Sequence, residues 1–157
     1  MNILGMTFIL LSAVFFSCQR ARQMHERILL LEELCDFVRQ MRLEVSCYLK
    51  PIAEVNYTSV LLDKVGFFKD IKEIGIAEAF LRLENKLFLG ERNRENLRRF
   101  FSSVGKGYIA DEIKLMDEAL SELTDLIKQE REAEPRQKKL TMTLSCSASL
   151  ALIILLI

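Results

Sequence analysis

Charge is absent from both ends of this chain. From Ile3 to Cys18 and from Leu140 to Ile157 there is no Lys, Arg, Asp or Glu, while nearly every charged residue lies between the two stretches. A helix rises about 1.5 Å per residue, so they reach roughly 24 and 27 Å, just under a hydrocarbon core of about 30 Å. This predicts a transmembrane helix over 1–19, a helical domain over 20–139 and a second transmembrane helix over 140–157. A body held at both ends by one bilayer face suits an assembly component better than a free enzyme.

Basic residues crowd the inner flank of both stretches. Arg20, Arg22 and Arg27 follow the first, and Arg131, Arg136, Lys138 and Lys139 precede the second; none lies on the outer side. Positive charge stays on the cytoplasmic side of a bilayer, which predicts an integral, two-pass protein of the cell membrane with its helical domain in the cytoplasm and both termini at or beyond the far surface. A secretory or lipoprotein signal ending at Cys18 fits less well. Only Met1 and Asn2 precede the apolar run, and Phe15 and Phe16 stand where a cleavage site needs small residues.

The 22 basic and 22 acidic residues cancel, so no general field draws nucleic acid to the chain. Four cysteines occur without a C-x-x-C pair. Cys35 and Cys47 fall on one predicted helix about 18 Å apart, beyond the roughly 7 Å that a disulfide allows, and read as reduced core thiols. Cys18 and Cys146, in or near the bilayer, read as small apolar fillers.

Turn signals are sparse: Pro51, Gly66, Gly75, Gly90, Gly105 with Gly107, and Pro135. Between them the apolar residues follow helical rather than alternating rhythm, which predicts an all-α bundle with helices near 20–49, 52–65, 67–74, 76–89, 91–104 and 108–133. In the first, Leu31, Leu34, Val38, Met41 and Val45 recur at alternating steps of three and four; in the last, Ile109, Ile113, Met116, Leu120, Leu123 and Ile127 do the same. Matching seams of this kind predict a long antiparallel, coiled-coil-like helix pair continuous with the membrane helices. Equally, each stripe can face the core of a compact bundle, since Leu30, Phe37, Leu115 and Leu126 broaden both faces. Ile76, Phe80, Leu83 and Leu87, and Leu97, Phe100, Phe101 and Val104, supply further core faces. Pro51 suits a first helical turn, and Gly66, Gly90 and Gly105 suit helix C-termini.

Little in the sequence points to catalysis. The single histidine, His25, sits among Arg22, Glu26 and Arg27 with no nucleophile at a useful spacing, and the scattered cysteines offer no convergent metal site, so neither a catalytic residue nor a cofactor or metal is expected. Gly105-Lys106-Gly107 lacks a phosphate loop's remaining elements: Phe100 stands where the earlier glycine belongs and Gly107 where the hydroxyl belongs. The neighbouring carboxylates Glu32 with Glu33, and Asp111 with Glu112, read as solvated faces. Arg92, Arg94, Arg98 and Arg99 form the best candidate for a partner-docking surface, although Glu91 and Glu95 dilute it.

The order of these features resembles the stage III sporulation protein AB family of endospore-forming bacteria. Leu4-Gly5 lies within a short apolar start, and an Arg- and Leu-rich helix follows. In E-V-S-C-Y-L-K-P-I-A-E-V, residues Glu44, Val45, Pro51, Ile52 and Glu54 resemble the family's E-I-x-Y-G-x-x-P-L-x-E-A. Glu78-Ala79-Phe80 resembles its E-A-W, and Val104-Gly105 its L-G before the last long helix. The chain departs at Cys47-Tyr48, where the family has Tyr-Gly, and at Gly107-Tyr108, where it has Ser-Asp.

The resemblance implies a place in the mother-cell assembly that spans the two membranes around the engulfed forespore. It also implies a fold similar to the cytoplasmic domains of platform proteins in type II secretion and type IV pilus systems, which couple an ATPase to membrane parts. The expectation is a non-catalytic platform or adaptor of the sporulation channel complex, facing the mother-cell cytoplasm and docking that complex's cytoplasmic ATPase. Its partners would be that ATPase, other membrane proteins of the complex and membrane lipids; a homo-oligomer stays open and nucleic acid is not expected. The alternative is a lipid-binding membrane regulator unrelated to sporulation, working through the juxtamembrane basic residues.

Overall fold

The computed structural model describes residues 3–48, 57–87 and 89–156, with side chains described for 11, 12, 14–47, 57–87 and 89–151. Every element among them is an α-helix: α1 (Ile3–Tyr48), α2 (Val60–Lys64), α3 (Phe67–Ile74), α4 (Ile76–Leu87), α5 (Glu91–Ser103) and α6 (Ile109–Leu156). Three of the expected helices recur with ends moved by two residues at most; the helix expected over 52–65 appears as α2 from Val60, after non-helical residues 57–59, and its expected start at 52–56 lies outside the described residues. The first and last are longer than expected, their helical residues continuing into the apolar stretches. Pro51 and Glu54 lie outside the described residues.

The chain divides into two compact units, one of Met1–Glu26 with Gln129–Ile157, the other Arg27–Lys128. In the second, α1 and α6 run antiparallel. Arg42 on α1 holds Asp117 on α6 with two nitrogens, Nη2 to Oδ2 at 3.2 Å. Two turns down α1, Cys35 meets Thr124, two turns up α6. Burial pushes the Cys35 thiol above its ordinary value, and the bond to Thr124 only partly offsets this.

The buried stripe of α1 includes Leu31, Leu34, Val38, Met41 and Val45, widened by Leu30, Cys35 and Phe37. On α6 it is turned slightly from the expected line. Met116, Ala119, Leu123 and Leu126 are buried, Ile113, Leu115, Leu120 and Ile127 are half-buried, and Ile109 is exposed. The faces are therefore broader than a two-stranded seam, and the extra width covers the short helices. Phe37 carries most of that coverage, with ring centroids 5.7 Å from Tyr57, 5.7 Å from Phe67 and 5.5 Å from Phe68. Deeper in, Phe101 stacks on Phe80 at 4.4 Å.

Helices α2, α3, α4 and α5 pack in succession. Gly66 and Gly75, at φ 83° and 89°, turn the chain where a side chain would be strained. Gly90 departs from its expected role: with φ −61° and ψ 151° it is the extended N-cap of α5, not a helix C-terminus. Pro135 departs too. It lies inside α6, where it has no N–H to give the helix ladder, instead of ending the helix.

Candidate functional site

Three carboxylates that look ordinary in sequence hold the Arg27–Lys128 unit together. Glu33 on α1 accepts the N–H groups of Leu61 and Leu62 at 2.9 and 3.2 Å and the Ser59 hydroxyl, so a distant side chain caps α2. Glu112, only 6% exposed, accepts Gly105 N–H at 2.9 Å and Gly107 N–H at 2.7 Å. It ties the α5–α6 turn to the first turn of α6, where the helix dipole also favours negative charge. A Cβ at Gly107 would stand 3.3 Å from Glu112 Oε1, which rationalises glycine there. Glu84 on α4, 3% exposed, holds Arg98 on α5 with both oxygens, Nε to Oε2 at 2.6 Å. Sequence spacing gives no sign of these roles, because each partner lies on another element or across a turn.

These pairings sort the α5 arginines. Arg98 is held by Glu84, which pushes its already high pKa higher. Arg94 folds back on its own helix start, Nη1 to Glu91 at 3.3 Å and Nη2 to the Leu89 carbonyl at 3.3 Å. Arg92 and Arg99 are exposed and form no ion pair among the described residues. Arg99 stands between two grooves. One, of about 330 Å³, lies between α4 and α5 with Ala77 and Leu81 among its lining; the other, between α5 and α6, includes Phe100, Leu115, Glu118 and Glu122.

Of the motif residues, Glu44 is buried and accepts the Gln40 amide at 3.1 Å, Ala79 and Phe80 are fully buried, and Gly105 has the positive φ of a helix exit, 87°. They are structural positions.

The unit containing both apolar arms has a different character. At its base His25 Nδ1 lies 3.6 Å from Glu134 Oε1, joining α1 to α6. Further out, large apolar side chains point outward: Leu11 and Phe15 on α1 are 67% and 71% exposed, Leu140 and Leu144 on α6 62% and 66%. The shielded positions of α6 are small: Thr141, Ser145 and Cys146 are half-buried and Ser149 is 4% exposed. Hydroxyls bond back to their own helix, Thr143 to the Lys139 carbonyl, Ser147 to that of Leu144 and Ser149 to that of Ser145. A helix pair in water would show the reverse order. Among the described residues, no helix is long and apolar enough to cross a membrane by hydropathy.

Of the basic residues beside the apolar stretches, Arg22 pairs with Glu26 at 3.2 Å and Arg27 is half-buried in the other unit. Arg20, Arg136, Lys138 and Lys139 are exposed. Among the described residues, no group of three or more His, Cys, Asp or Glu could hold a metal ion.

The family profile described as stage III sporulation protein AB matches residues 69–157, from α3 through the end of α6. The chain belongs to the stage III sporulation protein AB family. It is thus a sporulation-related protein, and the sequence resemblance at Glu78-Ala79-Phe80 and Val104-Gly105 falls inside the matched segment, while that at Glu44, Pro51 and Glu54 falls before it. No curated protein and no solved structure matches the chain.

Proposed function

We propose that this member of the stage III sporulation protein AB family is a non-catalytic membrane platform of the sporulation channel complex between mother cell and forespore. Its two apolar arms, 1–19 and 140–157, are transmembrane helices, and its helical body faces the mother-cell cytoplasm. The observation that carries this is the inverted order of the arms, with Leu and Phe outward and Ser and Thr shielded or bonded to their own backbone. Lipid favours that arrangement, because every polar group must be satisfied internally and small residues let helices approach closely. The basic residues flanking both arms support the cytoplasmic side for the body.

The body's chemistry fits an adaptor. Its buried carboxylates are spent on caps and cross-links, and its exposed uncommitted arginines, Arg92 and Arg99, lie on α5, Arg99 beside the two grooves. An acidic surface of the complex's cytoplasmic ATPase would dock there. Fixing the body at both ends restricts its orientation and lowers the entropic cost of holding a large partner.

The test is crosslinked recovery of a tagged chain from sporulating cells. Co-recovery of an ATPase, lost in the R92E/R99E variant while the chain stays in the membrane fraction, supports the reading. Recovery of the chain alone under the same conditions overturns it.

A further inference from the structure

The body has exposed cations of its own with no ion pair among the described residues, Arg92 and Arg99 included, and a second such group lies beside the proposed membrane arms. Arg39, Arg42, Arg82, Arg94 and Arg98 in the body are each held by a carboxylate. Arg20, Arg136, Lys138 and Lys139 are exposed and form no ion pair among the described residues. Their heights along the helices can be placed within their own unit. His25 meets Glu134. Arg20 lies five residues before His25 on α1, and Lys139 five after Glu134 on α6. From that contact, Arg20 lies toward the apolar start of α1 and Lys139 toward the apolar end of α6, so each step, about 7.5 Å along its own helix, leads to the start of an apolar arm. Arg136 and Lys138 lie within one turn of Lys139.

The four cations therefore share one level, and immediately beyond it charge ceases and outward apolar side chains begin, with Phe16 and Leu140 the nearest exposed ones. If the arms lie in lipid, this level is that of the headgroups. Cations there without protein carboxylates have phosphodiesters as their natural counter-ions, and Arg in particular can hold two phosphate oxygens at once.

We infer that Arg20, Arg136, Lys138 and Lys139 form a collar that binds the phosphodiester headgroups of anionic lipids and retains them around the anchor. The inference rests on the membrane reading and adds a lipid preference to it. Long basic side chains reach the interface while their stems lie along apolar surface, which suits this level.

The test is the full chain reconstituted into phosphatidylcholine vesicles containing a spin-labelled phosphatidylglycerol or a spin-labelled phosphatidylcholine. The fraction of each label immobilised by the protein gives the preference. The chain should favour phosphatidylglycerol by at least about fivefold, roughly the factor contributed by one surface cation. R20Q/R136Q/K138Q/K139Q should bring the ratio close to one, and R92Q/R99Q, on the body, should leave it unchanged. Replacing chloride by inorganic phosphate at constant ionic strength should not alter it.

Equal immobilisation of both lipids by the unaltered chain overturns the collar. So does a preference that survives the fourfold substitution, or one that inorganic phosphate abolishes, since the ligand would then be a free anion. Failure of the chain to enter either vesicle overturns the membrane reading itself, an outcome distinct from entry without preference.

Discussion

Removing the Glu112 carboxylate should loosen the α5–α6 turn by a calculable amount. Its oxygens accept Gly105 N–H at 2.9 and 3.0 Å and Gly107 N–H at 2.7 Å. Hydrogen bonds to a charged group contribute about 1.5–3 kcal/mol each. Both glycines are exposed, so water can replace part of what is lost and the low end applies. Two such bonds, with about 0.5 kcal/mol from the helix dipole, give a cost near 3.5 kcal/mol for E112A. E112Q keeps one acceptor oxygen but loses the charge and turns its NH2 toward a backbone donor, so about half the cost is expected. Urea unfolding of the full chain in detergent micelles measures this, followed by the reaction of a maleimide with Cys35 as the sole remaining cysteine. A slope of ~1–3 kcal/mol per molar urea converts the expected loss into a midpoint shift of about 1–3.5 M. E112A within about 0.5 kcal/mol of the unaltered chain would refute the argument that this carboxylate bears the turn.

Three further outcomes follow from the body's packing. Phe101, 1% exposed and stacked on Phe80, should cost about 3–5 kcal/mol on truncation to Ala in the same urea assay. Maleimide should modify the exposed Cys47 in the folded chain and reach buried Cys35 only on unfolding, as read by mass spectrometry of the peptides. The raised Cys35 pKa also fixes a pH dependence. The unfolded chain loses the thiol proton first, so the stability tied to the neutral thiol is full below the ordinary thiol value, about 8.5, and falls as pH rises through the folded one. The urea midpoint, read for both by the helical circular-dichroism signal, should thus fall more steeply above that pH for the unaltered chain than for C35A.

Local rhythm made the helices legible. Steps of three and four at Leu31, Leu34, Val38, Met41 and Val45 mark a buried face whatever covers it, and all five are buried. Chain direction through the turns was legible from Gly66, Gly75 and Gly105, whose positive φ values require residues without a Cβ. What stayed hidden depends on partners far away in sequence. Glu33 and Glu112 look like members of solvated acidic pairs, yet one caps α2 and the other holds the loop before α6. Among the α5 arginines, only the structure separates Arg98, committed to Glu84, from Arg92 and Arg99. Pro135 misled for a related reason: in a long helix the remaining ladder outlasts one missing N–H, so the residue does not end α6. Among the described residues hydropathy finds no helix long and apolar enough to cross a membrane; the direction of the arms' side chains is the more informative feature.

Lipid-phase photolabelling tests the central claim most directly. A carbene probe dissolved in the bilayer reacts with whatever faces the acyl chains, and mass spectrometry locates the adducts in the chain expressed in its own membranes. Adducts are expected on Leu11, Phe15, Leu144 and Leu150, not on Ser149, and nowhere in residues 60–128. Arms free of adducts, or adducts on Ser149 in preference to its large apolar neighbours, would contradict a platform anchored in lipid by both ends.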